Sequence, residues 1–131
     1  MSEPVHAAAA PKAVGRYPHA RRVGHMLYLS GIGPRNASDD SIPEGIVAQC
    51  HSVFANVRAV LEASGAKWED LVDVTVYLTD MAKDFPKYNA VWSEYFPDVA
   101  GAPCRTTLGI TALPTPIAIE LKCIAVIPEG R

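Results

Sequence analysis

The sequence predicts an α+β domain, a mixed sheet of about six strands with two helices packed on one of its faces. Two observations carry that class. Two stretches repeat apolar residues every three or four positions, while others alternate apolar and polar residues every second position. Along the chain these stretches follow one another as strand, strand, helix, strand, helix, strand, strand.

Taken in order, residues 1–14 are small and proline-bearing, with Pro4 and Pro11, and read as a flexible leader to a single domain over 15–131. Residues 20–23 and 26–30 flank Gly24 as the arms of a hairpin. Met26, Tyr28 and Ser30 fall on one side of that second arm, Leu27 and Leu29 on the other. Gly31-Ile32-Gly33-Pro34 breaks the strand, and the polar stretch 35–45 reads as a loop. Ile46, Cys50, Val53, Phe54, Val57, Val60 and Leu61 then form one helical stripe, which Gly65 stops. Val72, Val74, Val76 and Leu78 alternate with polar partners as a β-branched strand. Asp84 reads as the N-cap of a second helix, with Pro86 in its first turn. Phe85, Tyr88, Trp92, Tyr95 and Phe96 recur along it, and Pro97 ends it. Two more strands, 105–111 and 117–126, close the chain. Both helices must cover the same sheet face, which leaves the other, with Tyr28 and several Val or Ile positions, to be buried against copies of the chain.

With 131 residues, 49% of them apolar and 20% charged, the chain suits one soluble domain. A formal charge of −2 argues against nucleic acid as the main partner. No apolar run approaches the ~18 residues of a membrane span. The N-terminus lacks the basic-then-apolar pattern of a secretory signal, so the expected address is the cytoplasm. Cys50, Cys104 and Cys123 are too few and too scattered for a disulfide framework or a structural zinc site. His6, His19, His25 and His51 show no HExxH spacing, and nothing in the sequence points to a metal site.

Several residues stand out chemically, each beside a plainer alternative. Arg105 opens a strand among small neighbours, where its guanidinium fork can take a carboxylate or pair with a surface acid. Glu120 lies in the apolar run 117–126, so it is either a carboxyl with a raised pKa, suited to proton transfer, or a solvated partner of Lys122. Tyr17 sits near Arg16, Arg21 and Arg22 and can donate to a ligand or pack in an interface. Ser30-Gly31 is either a hydroxyl with a close backbone approach or only a turn. Cys104 beside Arg105 could be a thiolate held by a cation. Gly31-Ile32-Gly33 lacks the third glycine of a dinucleotide fingerprint. The Trp92, Tyr95, Phe96 stripe reads as core.

Four segments in order carry a resemblance: Tyr28-Leu29-Ser30-Gly31, Tyr88-Asn89-Ala90-Val91-Trp92, Pro103-Cys104-Arg105-Thr106-Thr107 and Ile119-Glu120-Leu121-Lys122-Cys123-Ile124-Ala125. Together they resemble the reactive-intermediate (imine/enamine) deaminase family, also called YjgF-like, from about Gly15 to the C-terminus. The resemblance implies a chorismate-mutase-like fold, a homotrimer, and sites in clefts between subunits. It implies that Arg105 grips a substrate carboxylate and that Glu120 handles the hydrolytic water. Tyr17, Ser30, Gly31 and Asn89 match positions that line the family's cleft. Thr107, also expected among the substrate-binding residues, stands where many members carry Cys, which puts a thiol-dependent role there in doubt. The opening Tyr17-Pro18-His19-Ala20-Arg21-Arg22-Val23-Gly24 and Arg105-Thr106-Thr107 look most like the 2-aminomuconate deaminase branch, which hydrolyses an enamine of an unsaturated diacid in aromatic-compound breakdown.

On these terms no metal or organic cofactor is needed. A diacid calls for a second cation, with Arg35 preferred over Arg21 and Arg22 because it follows the Ser30-Gly31 segment. The alternatives are a general scavenger of 2-aminoacrylate-type enamines and a trimer that binds a metabolite without turnover. RNA cleavage, also attached to family members, fits the charge least. The deaminase reading rests on Arg105 and Glu120 meeting in one wet inter-subunit crevice, and it collapses if they stand on opposite faces of the sheet or if no hollow lies between neighbouring subunits.

Overall fold

The computed structural model describes residues 2–130. Six strands form one sheet: β1 (Ser2–Val5), β2 (Ala20–Val23), β3 (Met26–Leu29), β4 (Leu71–Leu78), β5 (Cys104–Gly109) and β6 (Ile119–Val126). Their spatial order is β1-β2-β3-β6-β4-β5, antiparallel throughout except for the parallel pair β4–β5. Helix α1 (Ile46–Ala63) lies between β3 and β4 in sequence, and α2 (Met81–Tyr95) between β4 and β5. Strand β6 closes the chain by pairing with both β3 and β4. The predicted two-helix mixed sheet is therefore the observed architecture.

Local chemistry accounts for the elements. Gly24, at a φ of 60°, lets two residues turn the β2–β3 hairpin. The α1 stripe foreseen from the sequence is buried in full, from Ile46 to Leu61. Gly65 follows at a φ of 79°, where a side chain would be strained. Along β6, Ile119, Leu121, Cys123 and Ala125 are buried under the helices, and the residues between them face the other way. Phe54 of α1 anchors the helix–helix contact, with its ring 4.3 Å from Tyr95 and 6.2 Å from Trp92. Trp92 is buried, as the stripe predicted.

Two expectations need correction. Helix α2 begins one turn before Asp84: Asp80 is the N-cap and accepts from the Lys83 N–H at 3.2 Å, while Asp84 is itself buried in the helix. An Asp four residues upstream offers the same cap chemistry, and Pro86 is tolerated one turn further in than expected. Residues 1–14 are not a loose leader over the described part. Ser2–Val5 pairs with β2, and Ala7 and Ala10 join the core. The edge position accommodates Pro4, which has no N–H to give, and small side chains let the segment press close.

The sheet face away from the helices is only partly covered. Tyr28 is 39% exposed and Leu108 44%, with Ile124 and Val126 beside Tyr28 and Met26. No helix among the described residues is long and apolar enough to cross a membrane.

Candidate active site

Glu120 is placed by strand alternation. Its neighbours Ile119 and Leu121 turn into the core, so its carboxyl emerges on the open face opposite Tyr77 of β4. There it meets the chain leaving β3. Backbone bonds in both directions between Ile32 and Leu121, at 2.8 and 2.9 Å, hold that chain beside β6. Gly31 consequently touches the carboxyl so closely that an added Cβ would lie 2.7 Å from Oε2. This close approach, rather than a special backbone angle, is what glycine supplies here. Burial raises the Glu120 pKa above the usual carboxylate value.

Around this carboxyl lies a cavity of about 190 Å³, lined also by Ser30, Gly31, Tyr17 and Arg35 and walled on its outer side by residues 10–14. The Ser30 hydroxyl donates to the Pro18 carbonyl at 2.7 Å and so ties the strand end to the Tyr17 segment. From behind, α1 fixes the floor: the Asn56 amide donates to the Gly33 and Arg35 carbonyls at 2.9 and 2.7 Å, and Ser52 donates to the Pro34 carbonyl at 2.6 Å. Arg35 donates through Nη1 to Asp40 Oδ1 at 3.1 Å and through Nη2 to the Lys12 carbonyl at 2.5 Å. Arg21 instead donates to the Ser2 hydroxyl and Arg22 to the Gly24 carbonyl, and neither lines this cavity.

A second cluster stands on β5 and α2. Arg105 lies in register with buried Val74, so it points to the helix side of the sheet. Its Nη1 donates to Asn89 Oδ1 at 2.9 Å, and its guanidinium lies 4.9 Å from the Trp92 ring centre and 5.3 Å from that of Tyr88. Thr107, two residues along on the same side, brings its hydroxyl 3.4 Å from that of Tyr88, whose pKa burial raises. The aromatic stripe is thus both core and the shelf on which Arg105 rests.

The sequence-predicted residues therefore separate into two groups. Tyr17, Ser30, Gly31, Arg35 and Glu120 share the cavity, whereas Arg105, Asn89 and Thr107 gather on the other side of the sheet. Within one chain Arg105 and Glu120 do not meet, because residues in register with Val74 and with Tyr77 project to opposite faces. The expected convergence fails for a single copy, and the two groups can share a crevice only if they come from different copies. The same alternation corrects the Cys104 expectation. Cys104 pairs with Asp73 and is exposed on the open face, while the neighbouring guanidinium turns away from it. Among the described residues, no group of three or more His, Cys, Asp or Glu could hold a metal ion. Sequence reasoning missed His19, Asn56 and the wall formed by residues 10–14. The run of small residues 7–10 gave no signal for that wall, which rests on contacts with His19 and Arg35.

A family profile described as Endoribonuclease L-PSP matches residues 7–127, nearly the whole chain. This chain belongs to that YjgF-like family. It is 37% identical over 119 residues to a 2-iminobutanoate/2-iminopropanoate deaminase of Dermatophagoides farinae, covering 90% of this chain and 91% of the relative. To the protein of the same name from Escherichia coli it is 34% identical over 127 residues, covering 96% and 98%. The crystal structure of yeast Mmf1 superimposes with a TM-score of 0.91 at 30% identity, over 98% of this chain and 100% of that one.

Proposed function

We propose that this family member is a cofactor-free hydrolytic deaminase of enamine and imine carboxylic acids. In this proposal its site is completed where the Glu120 cavity of one copy meets the Arg105 shelf of another, in a homotrimer. The observation that carries the reading is the Glu120 carboxyl, poised against Gly31 in a small cavity with its proton affinity raised by burial. Two relatives named for imine deamination support the reaction class. The half-covered sheet face supports assembly.

Arg105 would grip the substrate carboxylate through the guanidinium edge not used by Asn89, an interaction of roughly 1.5–3 kcal/mol. Proton transfer to carbon converts an enamine to its imine. Glu120 takes a proton from water as the oxygen attacks the imine carbon. It hands that proton to the imine nitrogen, giving a carbinolamine, then carries the carbinolamine hydroxyl proton to the same nitrogen as the C–N bond breaks, which releases ammonia and leaves the 2-oxo acid. Because such substrates already hydrolyse unaided, positioning is the main task.

The sharper proposal is 2-aminomuconate, whose second carboxylate would be met by Arg35 at the cavity rim. Asp40 already pairs with that guanidinium, so the distal carboxylate must compete with it.

The test is ammonia release from freshly generated 2-aminoacrylate and 2-aminomuconate. Turnover above buffer that disappears in Glu120→Gln supports the enzyme. Carboxylate binding without turnover returns the chain to the metabolite-binding alternative. Arg35→Ala should impair the diacid by at least about tenfold more than the monoacid, and equal losses would remove the second anchor.

A further inference from the structure

The outer wall of the Glu120 cavity is the segment that the sequence presents as a leader, and one side chain pins it down. His19 leaves the turn before β2 with both ring nitrogens engaged. Nδ1 accepts the backbone N–H of Ala7 at 2.9 Å, and Nε2 donates to the Pro11 carbonyl at 2.7 Å. Because the first partner is a donor and the second an acceptor, only one neutral tautomer satisfies both.

We propose that His19 is a positioning residue that clamps residues 7–14 over the candidate active site. The link to turnover rests on the deaminase reading above.

The surroundings fit that role. His19 itself lines the cavity, and its backbone is fixed on both sides: its N–H donates to the Val5 carbonyl at 3.0 Å and its carbonyl accepts from Ser30 N–H at 2.9 Å. The clamp therefore joins the outer wall to the strand end that carries Ser30 and Gly31. The second tether is the Arg35 bond to the Lys12 carbonyl, so the wall hangs from two side chains that both line the cavity. Lifting it would admit water to Glu120.

The experiment compares wild type, His19→Leu and His19→Gln at neutral pH, because Gln can accept and donate through one amide. Amide exchange at Ala7 and propionate binding are measured beside steady-state kinetics. In His19→Leu we expect fast exchange at Ala7, weaker propionate binding and a KM raised about tenfold. The acid limb of its kcat profile should move down in pH as Glu120 rehydrates. His19→Gln should restore protection and lie within about twofold of wild type on each measure. Unchanged exchange in His19→Leu overturns the clamp. Fast exchange with unchanged binding and KM overturns its link to the site. A Gln variant as impaired as Leu overturns the hydrogen-bond account. If wild type releases no ammonia from any enamine, the deaminase reading fails, and exchange and propionate binding still decide the clamp.

Discussion

Arg105 and Glu120 project from opposite faces of a single sheet, the first in register with buried Val74 and the second with half-exposed Tyr77. One strand, β4, separates the strands that bear them. No side-chain rotation brings a guanidinium through a packed sheet, so one copy of the chain cannot apply both groups to one substrate.

If the two act together, they come from different copies, and subunit mixing reveals it. Arg105→Ala and Glu120→Gln chains, each inactive alone, are co-refolded in equal amounts. In a ring of copies, roughly a quarter of the sites then pair an intact Arg105 with an intact Glu120, and a comparable share of wild-type turnover should return. No recovery in oligomers shown to contain both chains would rule out the composite site.

Gly31→Ala should strike Glu120 directly. The added methyl would sit 2.7 Å from Oε2, and Gly31 has no left-handed backbone angle to complicate the effect. The carboxyl must swing away, so turnover should fall at least about tenfold with the assembly and far-ultraviolet spectrum unchanged. Wild-type kinetics in the alanine variant would show that the Glu120 position is immaterial.

The Glu120 environment also predicts a stability signature. Burial raises its folded pKa above the value in the unfolded chain, so the fold favours the neutral acid. The associated stability is fully present below the ordinary carboxylate range of about 4 and is lost as pH rises through the raised folded value. Glu120→Gln removes that titration. Its Tm should match wild type in acid and exceed it increasingly towards neutral pH, as thermal melts across the range will record. A difference that stays constant with pH would mean the carboxyl is as well solvated in the fold as in the open chain.

Much of the fold was legible because it rests on local periodicity. The α1 stripe from Ile46 to Leu61 and the alternation along β4 and β6 are burial patterns written into successive residues. The start of α2 was less legible because Asp80 and Asp84 offer the same cap chemistry one turn apart. The pairing of residues 2–5 is not legible in the sequence, because the alanines and prolines in and around that segment carry little signal of pairing. The order of the segment comes from β2 and from His19, both distant in sequence.

The sequence alone determined the kinds of elements, their order, the core-facing residues and the chemical types available to a site. Those features follow from side-chain volume, polarity and spacing within single segments. Only the tertiary structure decided that Glu120 closes on Gly31, that residues 10–14 wall the cavity, and that Arg105 turns to the aromatic shelf on the far side. Facing depends on strand register and on which strands become neighbours, and these are fixed by packing between segments tens of residues apart.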